Sequence, residues 1–275
     1  MRLLIEGTGY RSAAQAFRVG NRSVAEAGQR LTDALAGYAA MAGDDATAAD
    51  FAAAYDEAAS AAVDVLEELG GGFASLARLA DASLRNHVRA ETASTSSGGC
   101  PLMEPPPADG GLAVVLTPPP SALGGDSSSL PGWANAVLDL LEGAFWPDAD
   151  TDRLREAAGT WRSAATAVGL LAGHCESALD ELAVEVSPEI PLAIATTEDL
   201  RARIEALADQ LGALGSACEE HAAQVEATRE QILGELRQLA LELGIGAIVS
   251  GALTFLSGGA AAGVAGGAAA TRLAT

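Results

Sequence analysis

Apolar and small side chains recur through most of this chain at alternating intervals of four and three residues. One stripe of this kind begins at Tyr10 and ends at Ala42, and a second begins at Phe51 and ends at His87. That spacing places the members of each stripe on one face of an α-helix. The abundance of alanine favours the same structure, because alanine loses no side-chain entropy in a helix. The sequence therefore predicts an all-α protein whose first two long helices form an antiparallel hairpin.

Local signals place the turn and a weak point of this hairpin. The segment AGDDAT interrupts the periodicity, and Thr47 and Asp50 have the spacing of a capping box for the second helix. Gly70, Gly71 and Gly72 lie inside that helix. Because glycine loses the most backbone entropy in a helix, we expect these three residues to weaken or bend it.

A second hairpin is predicted further along the chain. A stripe from Leu154 to Val186 indicates a third long helix, with Asp150 as its N-cap. Pro188 and Pro191 should end this helix, since proline cannot continue one. The two hairpins together predict an elongated helical bundle.

The last long stripe is the most regular in the chain, and Thr196 and Asp199 have the spacing of a capping box at its start. A stripe of this length normally faces another helix, and the sequence leaves open whether that helix belongs to this chain or to a partner. We call this stripe the C-terminal seam, and its main members are Leu200, Ile204, Leu207, Leu211, Leu214, His221, Val225 and Ile232.

Composition divides the chain into four segments. Residues 1–91 and 132–243 carry the two predicted hairpins. Residues 92–131 hold eight of the eleven prolines together with runs of Ser and Gly, so they are expected to be a flexible or polyproline-like linker. Residues 244–275 form a Gly/Ala-rich apolar tail.

The tail has two interpretations. Residues 243–271 include no charged side chain, and a bilayer core is spanned by about 20 mostly apolar residues. The bulky residues are confined to the first part of this stretch, however, and the remainder is largely Gly and Ala. Either the segment inserts into a membrane, or it forms an apolar helical hairpin packed against the bundle.

Charge excludes several function classes. The chain has 37 acidic and 16 basic side chains, for a net charge of -21, and every basic residue is an arginine. Nucleic acid is therefore excluded as a partner, because phosphate binding needs clustered basic charge. Chemistry that requires a lysine is excluded as well.

Few residues are available for catalysis or metal binding. His174 and Cys175 on one helix, with Cys218 and His221 on the next, invite a zinc interpretation. Antiparallel packing would leave Cys218 about 15 Å beyond the level of Cys175, so we expect core cysteines and no metal. Motifs for nucleophilic, metal-dependent or cofactor-dependent catalysis are missing, which predicts a protein without enzymatic activity and without a cofactor.

The segment PGWANAVLDLLEGAFWPDADTDRLREAAGTWRSAATAVG resembles the N-terminal domains of the mycobacterial outer-membrane channel proteins that carry a C-terminal necrotizing toxin. The same domain begins many actinobacterial polymorphic toxins. The segments GDDATAADFAAAYDEAA and GAIVSGALTFLSGGAAAGVAGGAAATRLA are similar to that family in order and spacing. The resemblance implies a type VII secretion substrate built on WXG-type hairpins, secreted or held at the cell surface, with a toxin domain normally following.

The resemblance also selects residues. In the first hairpin these are Gly43, Asp44, Phe51 and Tyr55, and in the second module they are Trp133, Trp146, Pro147, Asp148, Asp150 and Trp161. Their expected role is structural, with partner contact as the alternative.

Two features of such proteins are missing from the sequence: a Trp-x-Gly at the hairpin turn and a Tyr-x-x-x-Asp/Glu signal. We therefore expect a small WXG-type protein to pair with the chain as a heterodimer and to supply the signal to the type VII machinery. Since no toxin domain is found within the 275 residues, the chain resembles a truncated effector or a carrier.

Overall fold

The computed structural model describes residues 7–94, 111–125, 130, 134 and 146–242. Trp133 and the tail 244–275 lie outside the described residues. The predicted all-α class is confirmed, and the helices are α1 (Thr8–Leu35), α2 (Ala46–Ser94), α3 (Thr151–Gly169), α4 (Ala172–Ala183) and α5 (Ile190–Glu242). A short 3₁₀ turn, Ala36–Tyr38, follows α1.

The two hairpins pack on each other around one hydrophobic core. Helices α1 and α2 form the first hairpin, and α3 with α4 pairs with α5 to form the second. Helix α1 also contacts α3 and α4, while α2 contacts α5. The C-terminal seam thus faces helices of its own chain. Its buried members are Leu200, Ile204, Leu207, Leu211, His221 and Val225, whereas Leu214 and Ile232 are half-buried.

A polar cluster joins the hairpins at the end away from the α1–α2 turn. The hydroxyl of Tyr10 lies 2.6 Å from that of Ser187 and donates a hydrogen bond to Glu189 (2.9 Å), and His87 Nε2 lies 2.6 Å from Glu189 Oε1. Burial opposes ionisation of Glu189, but its hydrogen bonds with His87 and Tyr10 outweigh burial and lower the pKa of the carboxyl to about 2.

The second hairpin differs from the prediction in where its helices begin and end. The single helix predicted from Asp150 to Val186 is interrupted between α3 and α4, at Leu170 and Leu171. Helix α5 begins before the predicted start, because Pro191 occupies its first turn, where no backbone N–H is needed. Thr196 is therefore inside the helix and not a cap, and its hydroxyl donates to the carbonyl of Leu192 (2.9 Å).

The predicted capping box at Thr47 and Asp50 is also wrong. Asp45 caps α2 instead, since its Oδ1 accepts hydrogen bonds from the backbone N–H groups of Thr47 (2.7 Å) and Ala48 (3.0 Å). Burial opposes ionisation of Asp45, but these hydrogen bonds outweigh burial and lower the pKa of its carboxyl. The helix thus begins three residues after the turn glycine, Gly43.

Part of the predicted linker, 15 of its 40 residues, lies against the first hairpin. Residues 111–125, here called the strap, run along α1 and α2, and side chains of the helices satisfy their backbone N–H groups. Asn21 accepts from Leu112 (2.7 Å) and Glu67 from Leu116 (2.6 Å). Asp56 accepts from Ala122 (2.8 Å). Of the two predicted alternatives, a flexible linker does not describe this part, because helix side chains replace the hydrogen bonds that an extended chain cannot make with itself. The polyproline-like alternative stays a prediction.

Of the three glycines in α2, Gly70 contacts the strap, and the helix continues through Gly70, Gly71 and Gly72. A Cβ at Gly70 would overlap the side chain of Val114, and the carbonyl of Gly70 accepts a hydrogen bond from Asn21 (2.9 Å). The missing side chain of Gly70 thus makes room for Val114 of the strap. By contrast, a Cβ at Gly71 would have nothing within 4 Å.

This contrast gives a matched pair of substitutions. Gly71→Ala should raise the free energy of unfolding by about 0.5–1 kcal/mol, because alanine is the better helix former. Gly70→Ala should gain less or destabilise, and hydrogen exchange should accelerate at the amides of Leu112 and Leu116. Urea unfolding and hydrogen exchange measure both effects. Equal stabilisation by the two substitutions, with the strap amides still protected, would contradict the claim that Gly70 makes room for Val114.

Candidate functional site

Six of the residues that the resemblance selects come together where the turn after α1 meets the segment before α3; they are Gly43, Asp44, Trp146, Pro147, Asp148 and Asp150. We call residues 41–45 and 146–150 the turn junction. The backbone N–H of Asp44 donates to Asp148 Oδ1 (3.0 Å), and that of Asp150 donates to the carbonyl of Met41 (2.9 Å). Gly43 has a φ of 86°, and a Cβ there would overlap the Asp148 carboxylate. Glycine is therefore required at this position.

The strap covers the other side of the same turn. Gly43 and Gly124 exchange two backbone hydrogen bonds, of 3.0 and 2.8 Å, and the N–H of Ala42 donates to the carbonyl of Ala122 (2.8 Å). The turn of the first hairpin is thus held between the strap and the segment before α3. Hydrogen bonds thus join the turn after α1, the strap and the segment before α3, which are far apart in sequence.

Arg229 of α5 closes the turn junction. Its Nε donates to the carbonyl of Pro147 (2.9 Å) and its Nη2 to that of Ala149 (2.7 Å). The guanidinium carbon lies 5.7 Å from the ring centroid of Trp146, within the range of a cation–π contact. Asp150 caps α3 by accepting from the N–H of Arg153 (3.0 Å). The residues Trp146 to Asp150 therefore fix the start of the second hairpin against its last helix.

Aromatic side chains continue this contact into the core. Trp161 is fully buried, and its Nε1–H donates to the hydroxyl of Tyr55 (3.1 Å), with the two rings edge to face at 6.1 Å. Phe51 stacks on His221, with centroids 3.9 Å apart and ring planes 2° apart. Burial raises the pKa of Tyr55 and lowers that of His221, so both are neutral near pH 7. These contacts fix α2 against α3 and α5.

Acidic groups crowd the turn junction. Burial raises the pKa of Asp148, and the neighbouring carboxyls of Asp44 and Asp45 add to the effect. Arg229 supplies a positive charge, and burial lowers the pKa of its guanidinium. The backbone carbonyls of Pro147 and Ala149 receive its N–H groups, so the arginine binds the chain of the segment and not a carboxylate.

The histidines and cysteines considered for zinc lie in different surroundings. Cys175 and Cys218 are buried, and burial raises the pKa of each thiol to about 12, so neither is a thiolate at neutral pH. His174 lies edge to face with Phe73, 6.4 Å between centroids, whereas His221 stacks on Phe51. Within the described part of the chain, no three His, Cys, Asp or Glu residues are placed to hold a metal ion.

An open groove runs between α2 and α5. Adjoining cavities of about 430 and 520 Å³ share Val65 and Gln210 in their walls, and a smaller one of about 170 Å³ shares Leu76, Leu79 and Thr196 with the first. We call this feature the α2–α5 groove. From Phe51 to Leu79 it is about 40 Å long at a helical rise of about 1.5 Å per residue. Its walls are mainly alanine and leucine.

The structure shows which residues sequence reasoning overlooked. Arg229 has no periodic or motif signal, and its partner Pro147 is 82 residues away. Asn21 lies within the stripe from Tyr10 to Ala42, and no motif marks it as a partner of the strap. Asp45 could have been identified, because a second aspartate directly before a helix is a common N-cap.

Comparison with known proteins gives one family match and two similar proteins. Residues 118–275 match the family of the WXG100-like domain. The outer membrane channel proteins CpnT of Mycobacterium bovis (strain BCG / Pasteur 1173P2) and Mycobacterium tuberculosis (strain ATCC 25618 / H37Rv) are each 30% identical to the chain over 213 residues. The alignment covers 76% of this chain and 24% of each relative, so the chain spans about a quarter of their length. No solved structure matches the chain.

Arg229→Lys tests how strongly the turn junction holds the bundle together. Lysine cannot donate two hydrogen bonds in the same planar arrangement, so the free energy of unfolding should fall by about 1–2 kcal/mol. Arg30→Lys is the matched control, because Arg30 is exposed and makes only a long ion pair with Glu26 (3.8 Å) among its described contacts. Urea unfolding of both variants measures the difference. Equal, negligible effects would show that the arginine does not stabilise the junction.

Proposed function

The chain belongs to the WXG100-like family, and from that premise we propose that it is a docking and targeting module of a protein exported by a type VII secretion system. It would act without catalysis, by binding small WXG-type helical proteins. In the full-length protein it would present a C-terminal toxin domain. The relatives named as outer membrane channel proteins support a role in export or at the cell surface.

The α2–α5 groove is the observation that carries this proposal. It is about as long as a helix of some 28 residues, and its walls include exposed or half-buried alanines of both helices, such as Ala58, Ala61 and Ala213. Small side chains let a further helix approach closely, and apolar grooves of this kind bind the apolar face of an amphipathic helix. A WXG-type partner would offer such a face.

The turn junction supports the groove from one end. By joining Asp44 to Asp148 and Met41 to Asp150, it holds the two hairpins in a fixed register before any partner arrives. A preformed groove binds with a smaller entropic cost than one that must be assembled. We assign this positioning role to the residues that the resemblance selects at the turn junction. Trp161 and Tyr55 extend the contact between the hairpins into the core.

The partner would also supply the export signal. The chain has neither Trp-x-Gly at the hairpin turn nor Tyr-x-x-x-Asp/Glu. A heterodimer with a small protein that carries the signal would present it to the secretion machinery. The buried, protonated thiols of Cys175 and Cys218 support the proposal that the module itself is not an enzyme.

A second candidate function is that of a membrane-inserting channel or translocation module. The uncharged sequence from 243 to 271 and the channel in the names of the relatives favour it. That segment lies outside the described residues, and no described helix is long and apolar enough to cross a bilayer. Leakage of liposomes that disappears when residues 244–271 are deleted would favour this candidate.

Export with and without the partner tests the proposed function. In a host with a working type VII system, deletion of the gene for the small WXG-type partner should abolish secretion of this chain. A second substrate that carries its own Tyr-x-x-x-Asp/Glu signal serves as the control and should still be secreted. The chain and the partner should also elute together in size-exclusion chromatography. Undiminished export after deletion would overturn the proposal.

A further inference from the structure

The rim that α2 contributes to the α2–α5 groove is acidic. Between residues 46 and 75 the helix carries six acidic side chains and no basic one. Two of them, Asp56 and Glu67, bind the strap. The others are exposed and either line the groove or directly precede a residue that does; they are Asp50, Glu57, Asp64 and Glu68.

The rim that α5 contributes adds further negative charge. Asp199 and Arg203 both line the groove, and they pair with each other (Nε to Oδ2, 2.8 Å), so the arginine is neutralised by its own helix. Glu198 and Asp209 are exposed on the same stretch of α5, where Glu205 is paired with Arg201 (3.8 Å). An approaching helix would thus meet an apolar floor between two negative rims.

The charge pattern decides which occupant fits. A second copy of this chain carries a net charge of -21 and would bring acidic helices against acidic rims, which costs free energy. The uncharged segment 243–271 of the chain itself has no basic residue to pair with the rims. Electrostatic complementarity instead favours a helix whose apolar face is flanked by arginine or lysine.

Exposed leucines extend the apolar surface at one end of the groove. Leu79 of α2 is 61% exposed and Leu192 of α5 is 71% exposed, and both line its smallest cavity. At the other end, near Ala54 and Ala217, the lining is mostly small. A helix bound here would therefore contact mainly alanine, beside two aromatic rings, at one end of the groove, and leucine in its middle and at the other end.

We propose that the α2–α5 groove binds one amphipathic helix of a partner protein, with a small apolar contact face and basic residues along both flanks. This inference rests on the proposed function, since it describes the partner that the docking module would receive. It also specifies the face of the partner that is buried and the charge that selects it.

Two synthetic peptides test this charge selection on the full chain. Both have about 28 residues and the same Ala/Leu heptad pattern, and the flanking positions are arginine in one and glutamate in the other. In fluorescence anisotropy the arginine peptide should bind at least about tenfold more tightly. Its affinity should fall as salt is raised from about 50 to about 500 mM, because salt screens exposed charges.

A pair of double substitutions locates the binding. Asp64→Arg with Glu68→Arg reverses charge at the groove, and Glu176→Arg with Asp180→Arg makes the same net change on the exposed face of α4. The first pair should weaken the arginine peptide at least about tenfold, and the second should change it by less than about twofold. Circular dichroism shows whether each variant keeps its helices.

Several outcomes would overturn this inference. Equal weakening by both double substitutions would mean attraction to the overall negative charge, and equal binding of the glutamate peptide would mean that charge does not select the occupant. Dimerisation of the chain that is lost on reversal of Asp64 and Glu68 would identify a second copy as the occupant. If the groove variants still bind the small WXG-type partner with unchanged affinity, the proposed function stands and the groove is not its docking site.

Discussion

The bundle depends on the hydrogen bonds that two chain turns share at the turn junction. The N–H groups of Asp44 and Asp150 each find their acceptor in the other module, and the Asp148 carboxylate can lie against Gly43 only because that residue has no side chain. Arg229 of the last helix, α5, then donates hydrogen bonds to two backbone carbonyls of the segment before α3. Because the hydrogen bonds of Asp44 and Asp150 link the two modules directly, they fix how the first hairpin sits on the second.

In that arrangement one face of α2 is covered by the strap and another face borders an open groove. On one face, Gly70 receives Val114, and Asp56 and Glu67 accept hydrogen bonds from the strap, so this face is covered by the chain's own linker. On the other face, α2 and α5 touch their neighbours in the core but leave a groove between them. The acidic composition therefore has two uses, because some carboxylates hold the strap and others border the open groove.

The sequence was sufficient for elements that depend on local periodicity. The stripe from Tyr10 to Leu35 and the C-terminal seam correctly indicate helix faces that are buried, since amphipathic spacing reflects burial directly. Features that depend on contacts between distant segments were not predictable. The prolines of the strap predicted a flexible or polyproline-like linker, and the glycines of α2 predicted a weak point in the helix. Pro191 predicted the end of a helix. The outcomes depend on contacts with distant residues, or on the position of a residue within its helix, and the tertiary fold sets both. The resemblance to known proteins identified Gly43, Asp148, Tyr55 and Trp161, but it did not place Gly43 beside Asp148 or Tyr55 beside Trp161.

The central claim is that the two hairpins form one bundle in a fixed register and leave the α2–α5 groove open. Electron paramagnetic resonance distances between spin labels on α2 and α5 test this most directly. The labels can be attached to cysteines placed at the exposed residues Ser60 and Ser216, with the native cysteines replaced by alanine. A single narrow distance distribution in the isolated chain is the expected result. A broad or multiple distribution would contradict the claim, because it would mean that the hairpins move independently and that no groove is preformed.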